Sequence, residues 1–273
     1  MKPKLCLGSA QFGLDYGITN NKGKVKPREV KEILKYSSDN NISLIDTAQE
    51  YGDSETIIGN SLPEDNSFKI ISKISLKNSD KFELKHTKLW EISLKNSLKK
   101  LRKNKLEALL IHSQNDLQKP GSKYLINWLL SLKDRGIVNK VGLSIYDKND
   151  LIGINRDFID IVQLPLSIYD QRLVKNLTIS KLRNEGYTIY ARSIYLQGLI
   201  LKRSYEWPNW INKESIKHHQ KLENFADRNN LKLINLAIEY IKSQEMIEAA
   251  IFGICSLKEL KELNKSWRKE ILL

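Results

Sequence analysis

Short apolar runs alternate with amphipathic segments along the whole of this 273-residue chain. Eight of these runs predict β-strands, at residues 5–8, 43–45, 68–71, 108–111, 138–143, 159–164, 188–192 and 248–252. Because the runs are almost wholly apolar, we expect a sheet that is covered on both faces, which is typical of parallel strands. A helical pattern follows each run. Eight βα units predict an α/β protein of the (β/α)8 TIM-barrel class rather than an open doubly wound sheet.

The segments between the strands predict the helices that would cover such a barrel. Pro27 begins the first, since proline is favoured in the first helical turn, and a second begins near Ser54. Further helices are predicted at 86–103, 124–135, 148–152, 172–184, 214–228, 233–243 and 256–267. The segment 195–213, which contains Trp207 and Trp210, is too irregular for one element. It is interpreted as an excursion from the fold after the seventh strand, and is called the excursion below. No linker interrupts the pattern, so residues 1–273 are predicted to form a single domain.

The net charge of +13, from 45 lysines and arginines against 32 acidic residues, raises the question of a nucleic-acid partner. The lysines are scattered along the whole chain rather than massed in one segment. A solvated surface is therefore the better interpretation, and no nucleic-acid partner is expected. A basic barrel that binds nucleic acid is kept as the weakest alternative. A diffuse positive field would also help to collect an anionic cofactor.

Several features favour a cytoplasmic protein without a membrane partner. No stretch approaches the roughly 20 apolar residues that span a bilayer, and the first residues lack the apolar core of a signal peptide. Cys6 and Cys255 are interpreted as small buried residues rather than as a disulfide. His86, His218 and His219 have no partners at ligand spacing. They are interpreted as surface residues, and no metal site is predicted.

Three successive predicted strands end in side chains that can carry out chemistry. Asp46, Lys73 and His112 close the second, third and fourth runs, and Tyr51 follows Asp46 by five positions. In a TIM barrel the carboxyl ends of the strands meet at one rim, where active groups lie. Alone, each of these residues is better explained as an ion-pair, packing or core residue. Together they predict one site around a bound carbonyl group.

Further motifs follow the other predicted strand ends. They are Gly8-Ser9-Ala10, Asp46-Thr47-Ala48-x-x-Tyr51-Gly52, Gly142-x-Ser144, Val162-Gln163 and Ile251-x-Gly253. With Lys73 and His112, this combination resembles the aldo-keto reductase superfamily over essentially the whole chain. The resemblance implies reduction of a small-molecule carbonyl compound to an alcohol with NADP(H) or NAD(H). No Rossmann or P-loop glycine motif is present, which is consistent with a barrel that binds its dinucleotide without one.

Chemistry and the resemblance together assign roles to the four catalytic candidates, Asp46, Tyr51, Lys73 and His112. Tyr51 would donate a proton to the carbonyl oxygen while the cofactor supplies a hydride. Lys73 would stabilise the phenolate that remains, and Asp46 would hold and neutralise Lys73. His112 would orient the substrate oxygen and share its developing charge.

The resemblance also implies a set of cofactor-binding residues around the same rim. Ser144 and Gln163 would form hydrogen bonds with the nicotinamide carboxamide. Ser193, Leu196 and Gly198 would line the path of the pyrophosphate. The full set is Gly8, Ser9, Ala10, Asp46, Ser144, Gln163, Arg192, Ser193, Leu196, Gly198, Gly253, Cys255 and Glu259.

Three positions depart from the usual pattern of the superfamily. Arg192 stands where an aromatic ring often stacks on the nicotinamide. A contact between Arg192 and the cofactor is favoured; the alternative is that Arg192 binds a phosphate or an anionic substrate. Glu259 stands where NADPH-preferring relatives carry a basic or amide side chain. Its carboxylate would repel a 2′-phosphate and accept a hydrogen bond from a ribose hydroxyl, although Lys258 would partly offset this. Ile145 replaces a common asparagine, which removes one carboxamide partner. NADPH and NADH therefore both remain open.

Substrate and role are less constrained by the residues. The segments 8–17 and 192–198 look like those of reductases associated with bacterial surface-sugar synthesis, so a sugar-like carbonyl compound is expected. The alternative is a regulatory or sensor subunit that keeps the nucleotide with little turnover. The complete set of four catalytic candidates argues against that alternative. Oligomeric state, stereochemistry and physiological direction stay open.

Overall fold

Eight parallel strands close into a barrel in the computed structural model, which describes residues 2–64, 67–76 and 79–271. Each strand pairs with its neighbours in chain order, and the last pairs with the first. The predicted (β/α)8 TIM barrel is confirmed. The strands are β1 (Lys4–Gly8), β2 (Leu44–Asp46), β3 (Lys69–Ile74), β4 (Leu106–Ile111), β5 (Val138–Ser144), β6 (Ile161–Pro165), β7 (Thr188–Arg192) and β8 (Ala249–Gly253).

Helices surround the barrel in the described residues. They are α1 (Ala10–Gly13), α2 (Pro27–Asp39), α3 (Ser54–Ser61), α4 (Leu84–Leu101), α5 (Ser122–Asp134), α6 (Arg172–Lys175), α7 (Thr178–Asn184), α8 (Lys213–Arg228), α9 (Leu233–Lys242) and α10 (Leu257–Arg268). Single 3₁₀ turns lie at Gln114–Leu117, Lys148–Leu151, Leu199–Leu201 and Ser204–Glu206. The short helix predicted near residue 148 is thus a 3₁₀ turn, and α1 precedes Pro27, where the first helix was predicted to begin.

The single helix predicted at 172–184 is wrong, because the chain stops and restarts within it. Leu177 has a left-handed backbone, with a φ of 61°. The Asn176 side-chain oxygen accepts hydrogen bonds from the backbone N–H of Thr178 at 3.1 Å and from its hydroxyl at 2.7 Å. An asparagine that accepts from the N–H two residues later competes with continued helix and begins a new one.

The inside of the barrel is filled by side chains. Its core cluster consists of Cys6, Leu44, Ile71, Ala108, Leu110, Ile161, Tyr190, Ala249 and Ile251. A larger apolar layer packs between the strands and the helices. Because the interior is packed, a ligand has access only at a rim of the barrel.

Helix α4 buries a narrower stripe than its sequence suggests. Trp90, Leu94 and Leu101 are buried at i, i+4 and i+11, which is one helical face. Leu89 and Ile92 are apolar residues of the same helix, yet they are 59% and 56% exposed. They lie about 100° to 200° around the helix from Trp90, so the barrel does not reach them.

His219 is fully buried, which corrects its interpretation as a surface residue. Its Nδ1 lies 2.6 Å from the Tyr169 hydroxyl, and its Nε2 lies 2.7 Å from the carbonyl oxygen of Lys202. The ring also stacks on Trp207, with centroids 4.4 Å apart. Desolvation lowers the pKa of His219, so the ring is neutral and joins the excursion to α8.

Other expectations concern membranes, metals and cysteines. The described part of the chain contains no helix that is long and apolar enough to cross a membrane. Nor do its described residues bring together three or more His, Cys, Asp or Glu side chains that could hold a metal ion. His218 is exposed and His86 is half-buried. Cys6 and Cys255 are both free thiols.

Candidate active site

The carboxyl ends of the strands border one open cavity of about 680 Å³. Parallel register sets these ends at one level, because Gly8 lies opposite Asp46 and Ser144 lies opposite Gln163. The four catalytic candidates, Asp46, Tyr51, Lys73 and His112, all line this cavity. The strand ends that carry these four residues are therefore neighbours in space.

Lys73 is a buried cation that faces three oxygen atoms. Its Nζ donates to Oδ2 of Asp46 at 2.6 Å and to the carbonyl of Thr47 at 3.1 Å, and it lies 3.5 Å from the Tyr51 hydroxyl. The Lys73 and Asp46 side chains are only 1% and 6% exposed. Burial by itself would lower the pKa of Lys73, but the Asp46 carboxylate and the Tyr51 hydroxyl raise it above the ordinary value of 10.5. Lys73 is therefore charged at neutral pH.

Gln163 donates a hydrogen bond to the second oxygen of the Asp46 carboxylate. Its Nε2 donates to Oδ1 of Asp46 at 2.7 Å, so Asp46 is held by a cation on one side and an amide on the other. The Oε1 of Gln163 is buried and has no hydrogen-bond partner among the described residues. A buried acceptor without a partner is costly, so this atom marks the wall where a ligand's donor would fit.

Tyr51 is placed by tight backbone packing just before α3. Its N–H donates to the carbonyl of Ala48, and its carbonyl accepts from the N–H of Ser54, both at 3.0 Å. A Cβ on Gly13 would lie 1.8 Å from the Tyr51 carbonyl oxygen. Helix α1 can therefore press against this loop only because residue 13 has no side chain.

His112 directly follows β4 and faces both Tyr51 and an acidic neighbour. The His112 and Tyr51 rings are nearly perpendicular, with centroids 6.3 Å apart. The His112 Nδ1 lies 3.2 Å from Oε2 of Glu50. Glu50 was missed at the sequence level, although a carboxylate next to the candidate tyrosine was a visible signal.

Two glycines line the cavity where β1 and β8 end. A Cβ on Gly253 would lie 2.8 Å from Nε2 of Gln11, and a Cβ on Gly8 would lie 3.2 Å from the N atom of Gly253. The neighbouring Ser9 is fully buried and its hydroxyl accepts a hydrogen bond from Ser54 at 2.9 Å. The glycines therefore allow β1, β8 and the Gln11 side chain to pack closely at this rim.

Arg192 is braced against the wall rather than extended into the cavity. Its guanidinium donates to the carbonyl of Ile145 and to the hydroxyl of Ser193, both at 3.0 Å. It also lies 4.2 Å from the centroid of the Tyr146 ring, a cation–π distance. Tyr146 and Tyr16 both line the cavity and were missed at the sequence level. Tyr146 follows Ser144 by two residues, which was the available signal.

Glu259 lines the cavity at the start of α10 and caps that helix. Its Oε2 accepts from the backbone N–H of Cys255 at 2.8 Å, and its own N–H donates to the Ser256 hydroxyl at 3.2 Å. A carboxylate at a helix N-terminus is favourable because the free N–H groups there carry partial positive charge. Burial, with the nearby Glu259 carboxylate, raises the pKa of Cys255 to about 12, so this thiol is uncharged.

Leu196 is the exception among the predicted cofactor-binding residues, since all the others line the cavity. Its N–H donates to the carbonyl of Ser193 in a tight turn, and its backbone is left-handed, as are those of Gln197 and Gly198. This turn leaves Leu196 half-buried and off the cavity wall. Its cofactor contact stays a prediction.

A sequence model of the aldo/keto reductase family matches residues 4–272. The chain belongs to the aldo/keto reductase family. This aldo/keto reductase is 23% identical over 266 residues to D-arabinose 1-dehydrogenase of Saccharomyces cerevisiae, a match that covers 89% of this chain and 78% of that protein. Family and fold support carbonyl reduction by an oxidoreductase.

Solved structures share the fold. A glycerol dehydrogenase from Gluconobacter oxydans is 17% identical with a TM-score of 0.75, and the match covers 98% of this chain and 87% of that one. A thermostable aldo-keto reductase in complex with the inhibitor epalrestat is 18% identical with a TM-score of 0.72. That match covers 99% of this chain and 91% of the other. At these identities the similarity shows the shared barrel.

Proposed function

We propose that this aldo/keto reductase uses NADPH or NADH to reduce a small-molecule carbonyl compound to an alcohol, with Tyr51 as the proton donor. One observation supports this most. The Tyr51 hydroxyl lies 3.5 Å from Nζ of Lys73, which in turn lies 2.6 Å from Asp46. A phenol beside a buried ammonium is well placed to release its proton, because the ammonium stabilises the phenolate.

The residues present fit a nicotinamide cofactor. The buried, unpartnered Oε1 of Gln163 is an acceptor for the amide N–H of a carboxamide. Ser144, opposite Gln163 in the strand register, would donate its hydroxyl to the carboxamide oxygen. Gly8 and Gly253 line the same cavity. When bound, this cofactor supplies the hydride.

Three side chains would take part in the transfer of the proton to the substrate oxygen. As the substrate oxygen gains negative charge, Tyr51 passes its phenolic proton to it. Lys73 stabilises the phenolate that is left, and Asp46 keeps the ammonium in place. Because the pKa of Lys73 is raised, the ammonium stays charged and does not itself release a proton. Burial of the pair leaves these attractions little screened by water.

His112 would hold the substrate oxygen from a second direction. Its ring is nearly perpendicular to that of Tyr51, at a centroid distance of 6.3 Å. Polar atoms of the two rings would therefore reach one small group from different sides. A hydrogen bond from His112 would strengthen as charge develops on that oxygen, which lowers the barrier to reduction.

We propose a sugar-like, hydroxylated carbonyl compound as the substrate. Tyr16, Tyr146 and Arg192 give the cavity wall a polar and aromatic character, which suits hydroxyl groups and sugar faces. Two of the related proteins are named for D-arabinose and glycerol, both of which are hydroxylated compounds. Because Arg192 is already engaged by Ile145 and Ser193, we propose that it shapes the wall next to the cofactor.

Domain organisation and location are part of the same proposal. Residues 1–273 are proposed to act as one aldo/keto reductase domain, since one closed barrel draws its strands from Lys4 to Gly253. A cytoplasmic setting is proposed because the free thiols Cys6 and Cys255 suit a reducing compartment. No nucleic-acid partner is proposed.

Carbonyl-dependent consumption of the cofactor tests the proposed function. The purified protein should consume NADPH or NADH when an aldehyde is added, followed as loss of reduced-nicotinamide absorbance. Aldoses and short hydroxyaldehydes should be preferred over aromatic aldehydes, because the wall is polar. A cofactor that binds but is consumed with no carbonyl compound in the panel would contradict the proposal and favour a nucleotide-binding sensor.

Cofactor preference gives a second test, centred on Glu259. We expect NADH to bind at least as tightly as NADPH, because the Glu259 carboxylate repels a 2′-phosphate and leaves Oε1 for a ribose hydroxyl. Glu259→Gln should tighten NADPH by about 10-fold, the effect of about 1.4 kcal/mol of lost repulsion, while NADH serves as the internal control. Fluorescence titration measures both. Much tighter NADPH binding by the wild-type protein would refute this role of Glu259.

A further inference from the structure

Glu50 places a second carboxylate beside the site, next to His112 rather than Lys73. Its Oε2 lies 3.2 Å from Nδ1 of His112. The two side chains are 23% and 25% exposed, so the contact is neither sealed in the core nor free in solvent. Glu50 immediately precedes Tyr51 in the chain, so the two residues belong to the same loop.

Glu50 is held in place from behind by the connection between β3 and α4. The Ser75 hydroxyl donates a hydrogen bond to Oε1 of Glu50, and the Ser75 N–H donates to Oε1 of Gln49 at 3.3 Å. The Gln49 side chain is fixed in turn by Ser93 at 3.1 Å and Ser97 at 3.0 Å, both on α4. This clamp leaves the other carboxylate oxygen directed at the imidazole. A supported side chain of this kind positions its partner precisely.

A carboxylate beside Nδ1 determines what the opposite nitrogen can do. A carboxylate only accepts hydrogen bonds, so Nδ1 must carry a proton to face Glu50 favourably. In neutral imidazole, Nε2 is then an acceptor and cannot donate to a carbonyl oxygen. In imidazolium both nitrogens donate, and a nearby negative charge stabilises that form. We propose that Glu50 is a positioning residue that keeps the imidazole of His112 protonated at Nδ1 and favours imidazolium, so that Nε2–H donates to the substrate oxygen.

The charges around the ring are compatible with this role. Lys73 is a cation of the same site, and its charge is met by Asp46 at 2.6 Å. Tyr51 faces the ring edge-on and is neutral until it releases its proton. The inference rests on the proposed carbonyl reduction: the proton that ends on oxygen still comes from Tyr51, and His112 keeps both of its protons. No additional reactant is needed.

Nitrogen NMR of the histidine rings tests the contact without turnover. The chain has only four histidines, and a His112→Asn variant assigns the His112 signals. With ¹⁵N-labelled histidine, neutral His112 should carry its proton on Nδ1, and its titration midpoint should lie at higher pH in the wild type than in Glu50→Gln. Asp53→Asn is the matched control, because it removes a carboxylate three positions later whose side chain is 74% exposed. It should leave the midpoint unchanged.

Kinetics then connect the contact to the reaction. Glu50→Gln should lower kcat by about 10- to 100-fold, less than the 10²- to 10³-fold cost of losing an oxyanion donor outright. KM should change little. The high-pH limit of kcat should move to lower pH, whereas Asp53→Asn should match the wild type. Thermal unfolding of each variant shows whether it is folded.

The outcomes separate this inference from the proposed function. Equal titration midpoints in the wild type and Glu50→Gln, or a proton on Nε2 of neutral wild-type His112, would overturn the role of Glu50 while the reductase proposal stands. Wild-type protein that binds cofactor but reduces no carbonyl compound would overturn the proposed function, and with it the catalytic part of this inference. In that case the ring titration still decides the contact.

Discussion

Tyr51→Phe is expected to bind cofactor normally and to lose turnover by about 10²- to 10⁴-fold, the usual contribution of a positioned acid. Phenylalanine keeps the ring that packs at 5.1 Å from Nζ of Lys73, so the cavity keeps its shape. Only the hydroxyl is removed, and with it the proton that the substrate oxygen needs. Steady-state rates with an aldehyde measure the loss, and fluorescence titration of the cofactor measures binding.

Tyr205→Phe is the matched control for this variant. The Tyr205 side chain lies on the excursion and is 85% exposed, far from any role in the cavity wall. It should keep wild-type kcat and KM. Undiminished turnover in Tyr51→Phe would contradict the role of Tyr51 as proton donor. Weaker cofactor binding would show that the hydroxyl also contributes to binding of the cofactor.

Lys73→Met is expected to abolish turnover and to reduce the free energy of unfolding by about 3–5 kcal/mol. The methionine fills a similar volume but leaves the Asp46 carboxylate, 6% exposed, with an amide partner and no cation. Urea unfolding at neutral pH measures the loss. Folding raises the pKa of Lys73, so its stabilisation is complete below its ordinary value of 10.5 and is lost only as pH rises through the higher folded value.

An exposed ion pair of similar length provides the control. Lys2 lies 2.7 Å from Glu270, but the two side chains are 62% and 82% exposed. Lys2→Met should therefore leave the free energy of unfolding close to that of the wild type. The double variant Asp46→Asn/Lys73→Met should regain most of the lost stability, because no buried charge is left unpaired, but no activity. A Lys73→Met protein as stable as Lys2→Met would contradict the buried-pair argument.

The fold could be predicted from the sequence because one local pattern, an apolar run followed by a helical segment, is repeated along the chain. Almost wholly apolar runs and the helices between them predict a parallel barrel, and the last residue of each strand predicts the rim. Errors arose where a side chain's neighbours decide the outcome. The oxygen of Asn176 breaks a predicted helix, a buried pocket receives His219, and α4 turns Leu89 and Ile92 outward.

The residue order alone therefore determined the barrel, its rim and the positions of Asp46, Lys73 and His112, because strand ends follow from short-range periodicity. Only the tertiary structure decided which of those side chains have partners. Gln163 meets Asp46 across 117 positions of the chain, and Glu50 meets His112 from a different strand's loop. Such contacts depend on the paths of whole loops and on how closely glycines let them pack, and these properties are not encoded in any local pattern.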